Sequence, residues 1–180
     1  MSIFSKYVGE INSAELAASL KEINDNGGGN HSKISSGKYE VKVDKMELRV
    51  APWGETQVAI QFRILAGDYT EQCIFYEQGF EEDWKRHRAV KMLAALADNE
   101  LYTLLHKNGV DIPDGMGEAW LNDAFKTGTN EEINDLLLDL HKTIDGKFEY
   151  LLDYSSKPAK TKDNKEYTKK EYTIVEVWDK

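Results

Sequence analysis

The sequence predicts a mainly β domain that carries a helical insert. Three observations point there. Residues 38–50 and 56–65 alternate apolar and polar side chains, the period of a half-buried strand, and residues 69–76 read as a third strand after a turn. The period switches to that of a helix over residues 81–97 and again after Thr129. It returns to a strand pattern at residues 147–154 and 167–178.

Taken in order, the chain opens on a short helix. Ser13 can cap it, and Leu16, Leu20 and Ile23 recur at helical spacing. It stops at Asn24-Asp25-Asn26-Gly27-Gly28-Gly29-Asn30, a polar glycine-rich run that reads as a flexible linker. Residues 1–30 thus form a separable N-terminal arm, and residues 31–180 the main domain. In the first strand Tyr39, Val41 and Val43 share one face, but the apolar set then becomes Met46, Leu48 and Val50. That slip of phase around Asp44-Lys45 predicts a bulge or sharp bend. The loop Ala51-Pro52-Trp53-Gly54-Glu55 leads to the second strand, where Val58, Ile60, Phe62 and Ile64 face one way. Gly67-Asp68 marks a hairpin turn. The inward face of the third strand stays open, because Cys73/Phe75 and Ile74/Tyr76 are equally apolar.

The helical insert, at about residues 77–146, begins with a helix whose stripe is Ala89, Met92, Leu93 and Leu96. A shorter helical or irregular region runs to Asn108, and Gly109–Gly117 reads as loop. Thr129-Asn130-Glu131-Glu132 is a capping box, followed by the stripe Ile133, Leu136, Leu137 and Leu140. Two strands close the chain, joined by a basic loop. Five strands, the first bent so that it can pair on both sides, with helices between the third and fourth, make the order of an OB-fold, a partly open Greek-key barrel. An α+β arrangement is the rival.

Composition narrows the function. The chain has 180 residues, 41% apolar and 31% charged, which suits one folded domain with an appendage. No stretch approaches the ~20 apolar residues of a membrane span, and Met1–Lys6 is not followed by the apolar core of a secretory signal. The lone cysteine, Cys73, excludes an internal disulfide framework, so a cytoplasmic location is expected. Enzyme motifs are missing. His31, His87, His106 and His141 show no metal-ligand spacing, Gly27-Gly28-Gly29 lacks the ending of a phosphate-binding loop, and no G-x-S-x-G occurs. Asp111, Asp114 and Glu118 do not fit a calcium loop. The reading is therefore a binding protein, with no catalytic residue, cofactor or metal.

The net charge of −9 argues against a repressor-like DNA binder, but charge is uneven. Lys157 to Lys170 carries six lysines against two acids, and Trp84 to Lys91 carries four cations and no acid. Asp98 to Asp145 carries eleven acids against three bases. Binding an unpaired strand takes cations for phosphates and exposed rings that stack on bases, each stack worth ~1–3 kcal/mol. Candidates stand where an OB-fold places such groups. Trp53 sits in the first loop, and Arg49, Gln61 and Arg63 lie on the faces opposite the apolar rows. Tyr76 could close that surface. Trp84, His87, Arg88 and Lys91 share one helical face. The loop between the last two strands interleaves Tyr154 and Tyr167 with Lys157, Lys160, Lys162, Lys165, Lys169 and Lys170.

The run Ser36-Gly37-Lys38-Tyr39-Glu40-Val41, the Met46-Glu47 pair, Gly54, Gln61-Phe62-Arg63-Ile64 and Gly67-Asp68-Tyr69 is similar to phage-encoded single-stranded DNA-binding proteins, often described only as a family of unknown function. The resemblance covers roughly residues 36–100. It implies an OB-fold, sequence-tolerant binding of single-stranded DNA in phage replication or recombination, no catalysis, and the cytoplasm of a host cell. RNA as ligand, a homodimer, and phage or host replication partners stay open. The chain ends Glu176-Val177-Trp178-Asp179-Lys180, not in the acidic tail by which bacterial single-strand binders recruit partners, which departs from that pattern. The alternative is an acidic protein-interaction module, a phage inhibitor or DNA mimic that binds a host protein through Asp98–Asp145.

Overall fold

A computed structural model describes residues 34–180, so the expected N-terminal helix and glycine-rich linker lie outside the described residues. One five-stranded antiparallel sheet contains β1 (Gly37–Val50), β2 (Thr56–Ile64), β3 (Cys73–Gly79), β4 (Phe148–Lys160) and β5 (Glu166–Asp179), in the order β3-β2-β1-β4-β5. Between β3 and β4 run α1 (Asp83–Ala97), α2 (Glu100–Lys107), α3 (Gly117–Thr127) and α4 (Asn130–Ile144). Among the described residues, no helix is long and apolar enough to cross a membrane.

β1 organises the sheet. Its residues Val41 to Val50 pair with β2, while Gly37 to Val41 pair with β4, so the strand is shared between two neighbours along its length. The register shifts between Val43 and Lys45, which is the bulge that the slipped apolar phase predicts. Because of it, Val41, Val43 and Met46 all turn into the core beside Val58, Ile60, Phe62 and Ile64 of β2. From β4 come Phe148, Tyr150, Leu152 and Tyr154.

Past Val41, β1 has lost β4 as a neighbour, and its second edge would present bare peptide groups. α4 lies along that edge. Its Asn134 side chain accepts a hydrogen bond from the Leu48 N–H at 2.9 Å, and His141 Nε2 lies 3.1 Å from the Val43 carbonyl at the bulge. Covering an open strand edge with a helix satisfies buried polar groups and removes a template for aggregation. The capping box that starts α4 is formed from both sides: Thr129 Oγ1 accepts from the Glu132 N–H at 3.2 Å, and Glu132 Oε2 from the Thr129 N–H at 3.0 Å.

The other helices pack on the sheet and on one another. α1 buries Ala89, Met92, Leu93 and Leu96, the expected stripe, and Tyr150 of β4 donates its hydroxyl to the Leu96 carbonyl at 2.6 Å. α3 seats Phe125 edge-on against Phe80, and Asn122 accepts from Arg86 Nε at 3.0 Å. The sequence reading did not include α3. Its apolar signal is the set Trp120, Leu121, Ala124 and Phe125 in an 11-residue helix, of which Leu121 and Phe125 are buried.

The strand ends also differ from expectation. β3 starts at Cys73 and not at Tyr69, because residues 66–71 form the turn, with Glu71 at φ +72°. β4 continues to Lys160 and β5 begins at Glu166, so the expected basic loop shrinks to Thr161–Lys165 at the tip of a long hairpin. Pro158 lies within β4, where β1 is no longer a neighbour and a strand with one open edge tolerates proline. β3 and β5 are the two edge strands of the sheet. A side chain joins them: the Tyr172 hydroxyl of β5 donates to the Phe75 carbonyl of β3 at 2.6 Å, and its ring stands edge-on to Tyr76.

Asn134→Ala leaves the Leu48 N–H without its partner. The expected loss is about 1–2 kcal/mol, or several degrees in melting temperature at this chain length. Asp135→Ala, on an exposed neighbour, should leave the thermal transition unmoved, so calorimetry of the two variants checks the edge-covering role of α4.

Candidate nucleic-acid interface

The outer face of β1, β2 and β3 is a short grid set by the register. One row is Lys45, Gln61 and Phe75, the next is Glu47, Ala59 and Glu77, and the third is Arg49, Gln57 and Gly79. Ala59, the smallest side chain in the middle, leaves a shallow depression rimmed by Lys45, Arg49, Phe75 and Glu77. Its charges are largely satisfied within the sheet. Glu47 pairs with Arg49 at 2.9 Å and Lys45 at 3.3 Å, and hydrogen bonds from these two cations hold its carboxyl below the ordinary range against the pull of desolvation. Arg63 is paired with Asp44, and its Nη1 donates to the Glu71 carbonyl at 2.8 Å. Gln61 donates to Cys73 Sγ at 3.2 Å. Arg49, Gln61 and Arg63 therefore lie on the expected face, engaged with their own neighbours.

The aromatic expected there is a different one. Tyr76 is 5% exposed and turned into the core, and Tyr154, at 6%, packs against Tyr172 with ring centroids 5.5 Å apart. Neither ring can stack on a ligand in this arrangement, which corrects both readings. The pairing Ile60↔Tyr76 places Tyr76 on the inner face, leaving Phe75, 37% exposed, on the outer one. Sequence reasoning missed Phe75 because both phases of that strand are apolar. The deciding signal is the register with β2, which the strand's own residues do not carry.

At one end of the grid the β1–β2 loop meets α1. The loop is closed by the Ala51 N–H on the Glu55 carbonyl and the Gly54 N–H on the Ala51 carbonyl, both at 2.8 Å. Gly54 has φ +93°, a conformation that favours glycine. The tight loop pushes Trp53 into solvent, 70% exposed. Glu55 turns the other way, and its Oε2 accepts from Lys85 Nζ of α1 at 3.0 Å. The same ammonium stands 5.7 Å from the ring centre of Trp84, and the Arg88 guanidinium 5.1 Å from it on the next turn. Trp84 is 53% exposed, with its indole N–H bonded to Glu82. Lys91 is exposed on the same helical face. Arg86 is buried and bonded to Asp83 and Asn122, so it belongs to the framework and not to the surface.

The hairpin supplies the remaining cations. Lys157 and Lys169 are directly opposite each other across β4 and β5, and Ala159 is opposite Tyr167, with Tyr167 exposed. Like charges facing across a ladder are destabilising, a cost that a bound anion would offset. Lys162 and Lys165 occupy the turn, Lys160 the last position of β4, and Lys170 the register opposite Ser156. Glu171 of β5 pairs with Lys169 Nζ at 3.1 Å. Its carboxyl is held below the ordinary range by the Lys169 hydrogen bond first, and then by the charges of Lys169, Lys157 and Arg88. Arg88, Lys91, Lys157, Lys160, Lys162, Lys165 and Lys170 have no acidic partner within 4.0 Å among the described residues, whereas Lys45, Arg49 and Arg63 on the grid are paired. Two exposed indoles, an exposed phenyl and an exposed phenol thus accompany a set of unpaired cations.

Residues 21–117 match a family described as protein of unknown function (DUF669), more than half of the 180-residue chain. The chain belongs to this family. No curated protein and no solved structure matches it. In this DUF669 protein the matched residues take in β1, β2, β3, α1 and α2, and hence the grid, the Trp53 loop and the Trp84 helix face. The β4–β5 hairpin with its lysines lies beyond the match. Among the described residues, no group of three His, Cys, Asp or Glu side chains could hold a metal ion.

The Glu55–Lys85 pair sets a pH dependence. The Lys85 hydrogen bond first, and the Gln57 hydrogen bond after it, keep the Glu55 carboxyl below the ordinary carboxylate range against the pull of desolvation. A depressed acid stabilises the fold fully above its unfolded pKa of about 4.3 and ceases to do so as pH falls through the folded value. The melting-temperature gap between the DUF669 protein and its Glu55→Gln variant should be constant from about pH 6 to 8 and narrow as pH falls below the unfolded pKa of about 4.3. Differential scanning fluorimetry across that range checks it.

Proposed function

We propose that this DUF669 protein is an OB-fold single-stranded DNA-binding protein of phage replication or recombination. Support for the fold reading comes from β1, bent at a bulge and shared between β2 and β4, from the helices between β3 and β4, and from Tyr172 bridging the two edge strands. The observation that carries the functional reading is the company kept by the exposed rings. Trp84 stands out of the core beside Arg88, which has no acidic partner among the described residues, Tyr167 stands out of the lysine-rich hairpin, and Trp53 projects from the β1–β2 loop. Stacking platforms next to unsatisfied positive charge are what an unpaired strand requires, since every base offers a flat face and every linkage a phosphate.

In this reading the hairpin lysines and Arg88 hold phosphates, Trp53 and Trp84 stack on bases, and Phe75 offers a further ring over the Ala59 depression. Tyr76 and Tyr154 support the barrel from inside. Arg49, Gln61 and Arg63 contact the strand only by exchanging their present partners. The location is the host cytoplasm, and the function needs no cofactor.

A fluorescence titration with oligo-dT at two salt concentrations tests this. Binding at micromolar protein in low salt, weakened as salt rises, is expected from the release of counterions. Trp53→Ala should cost about 1–3 kcal/mol, roughly 5- to 150-fold in affinity, at either salt. Replacing Lys157, Lys160, Lys162 and Lys165 with glutamate should abolish binding and leave the melting temperature near that of wild type. No binding at low salt, or binding indifferent to both changes, refutes the assignment.

A further inference from the structure

Glu55 lies in a space that only a glycine can leave. A Cβ added to Gly79, at the end of β3, would fall 1.9 Å from Glu55 Oε1 and 2.7 Å from its Cδ. The nearest obstacles all belong to Glu55, and the Gly79 backbone is outside the left-handed region. A side chain at position 79 is therefore excluded by the Glu55 carboxylate and not by the backbone. Gly79 itself is buried. Seated there, the carboxylate meets Lys85 Nζ at 3.0 Å and Gln57 Nε2 at 3.5 Å. It thus fastens three separate elements: the tip of the β1–β2 loop, the end of β3 and the first turn of α1.

We infer that Glu55, wedged into the notch left by Gly79, is the positioning residue that holds Trp53 and Trp84 as one preformed pair of stacking plates. Trp53 is two residues before Glu55 in a loop closed through Glu55's own carbonyl, so moving Glu55 moves the loop. Lys85, the partner of Glu55, also stands over the Trp84 ring. The Glu55 carboxylate is bonded to the cation over Trp84, and its own backbone closes the loop that carries Trp53. A ring already fixed in its bound geometry loses less conformational freedom when a base stacks on it, which raises affinity without adding a contact. This inference rests on the proposed binding of single-stranded DNA only for its consequence, not for its geometry.

Gly79→Ala is the discriminating substitution. It displaces the far end of a flexible side chain, so the fold survives while Glu55 loses its seat. Without any ligand, the Trp53 and Trp84 indole N–H resonances in a nitrogen–proton correlation spectrum should shift in Gly79→Ala and in Glu55→Ala. Those of Trp120 and Trp178 should stay in place. Once Glu55 is alanine, adding Gly79→Ala should shift nothing further, because the two positions act through one contact. Unmoved Trp53 and Trp84 signals in Gly79→Ala, or independent additive shifts in the double variant, overturn the inference.

With oligo-dT, Gly79→Ala should weaken binding about tenfold while keeping the wild-type salt slope, because no phosphate contact is lost. A Lys157→Glu change should instead flatten that slope. If wild type and Trp53→Ala differ in affinity but Gly79→Ala binds as wild type does, the positioning role is refuted and DNA binding stands. If wild type does not bind, DNA binding is refuted, and the resonance shifts alone decide the role of Glu55.

Discussion

The architecture turns on how one strand divides its hydrogen bonds between two partners. β1 pairs with β4 only from Gly37 to Val41, and with β2 from Val41 to Val50. The bulge at Val43–Lys45 inserts one residue, which restores the inward phase for Met46. It also frees peptide groups on the far edge, and α4 exists in its position to meet them through Asn134 and His141. The helical insert is thus a structural necessity of the bent strand as well as a lid on the core.

Much of this organisation is legible from residue order. The phase slip at Asp44-Lys45, the capping box at Thr129, the Ala89–Leu96 stripe and the strand–helix–strand succession are local patterns, and each has its counterpart in the structure. What was not legible is set by pairing across the sheet. Whether Phe75 or Tyr76 faces inward depends on the register with β2. The extension of the last hairpin through Lys160 and Glu166 depends on cross-strand bonds that polar, lysine-rich residues do not advertise. α3 does carry a short helical period, in Trp120, Leu121, Ala124 and Phe125, which was legible but went unread, and Phe80 and Arg86 hold it from outside itself. At the interface, the exposed indoles were foreseeable because Trp53 sits in a tight glycine turn and Trp84 opposite a buried stripe. The link between them was not, since it passes through Glu55 to a glycine 24 residues away.

Charge is sorted by location. On the grid, where backbone neighbours fix the spacing, cations and acids alternate along β1 and neutralise one another. On the outer face of α1 and along the hairpin, cations outnumber acids: Lys157 faces Lys169, while Glu166 faces Lys160 and Glu171 pairs with Lys169. A net charge of −9 therefore conceals two cation-rich segments, one on α1 and one on the β4–β5 hairpin. Local potential, not the total, governs what such a surface attracts, and ionic strength sets its reach at about 8–10 Å under physiological conditions.

The projecting hairpin has a consequence for the behaviour of the protein in concentrated solution. Beyond Ser156, whose backbone meets the Ser36 hydroxyl, its two strands pair with each other alone, so it offers bare ribbon edges of the kind that recruit further chains into fibrils. Pro158 interrupts one such edge, and the facing lysines at 157 and 169 make the approach of an identical ribbon electrostatically uphill. The same residues that make the arm attractive to a polyanion act as gatekeepers against self-templating. Neutralising them, by acetylation or by charge-removing substitution, would remove that protection and leave an exposed ribbon open to addition by its own kind.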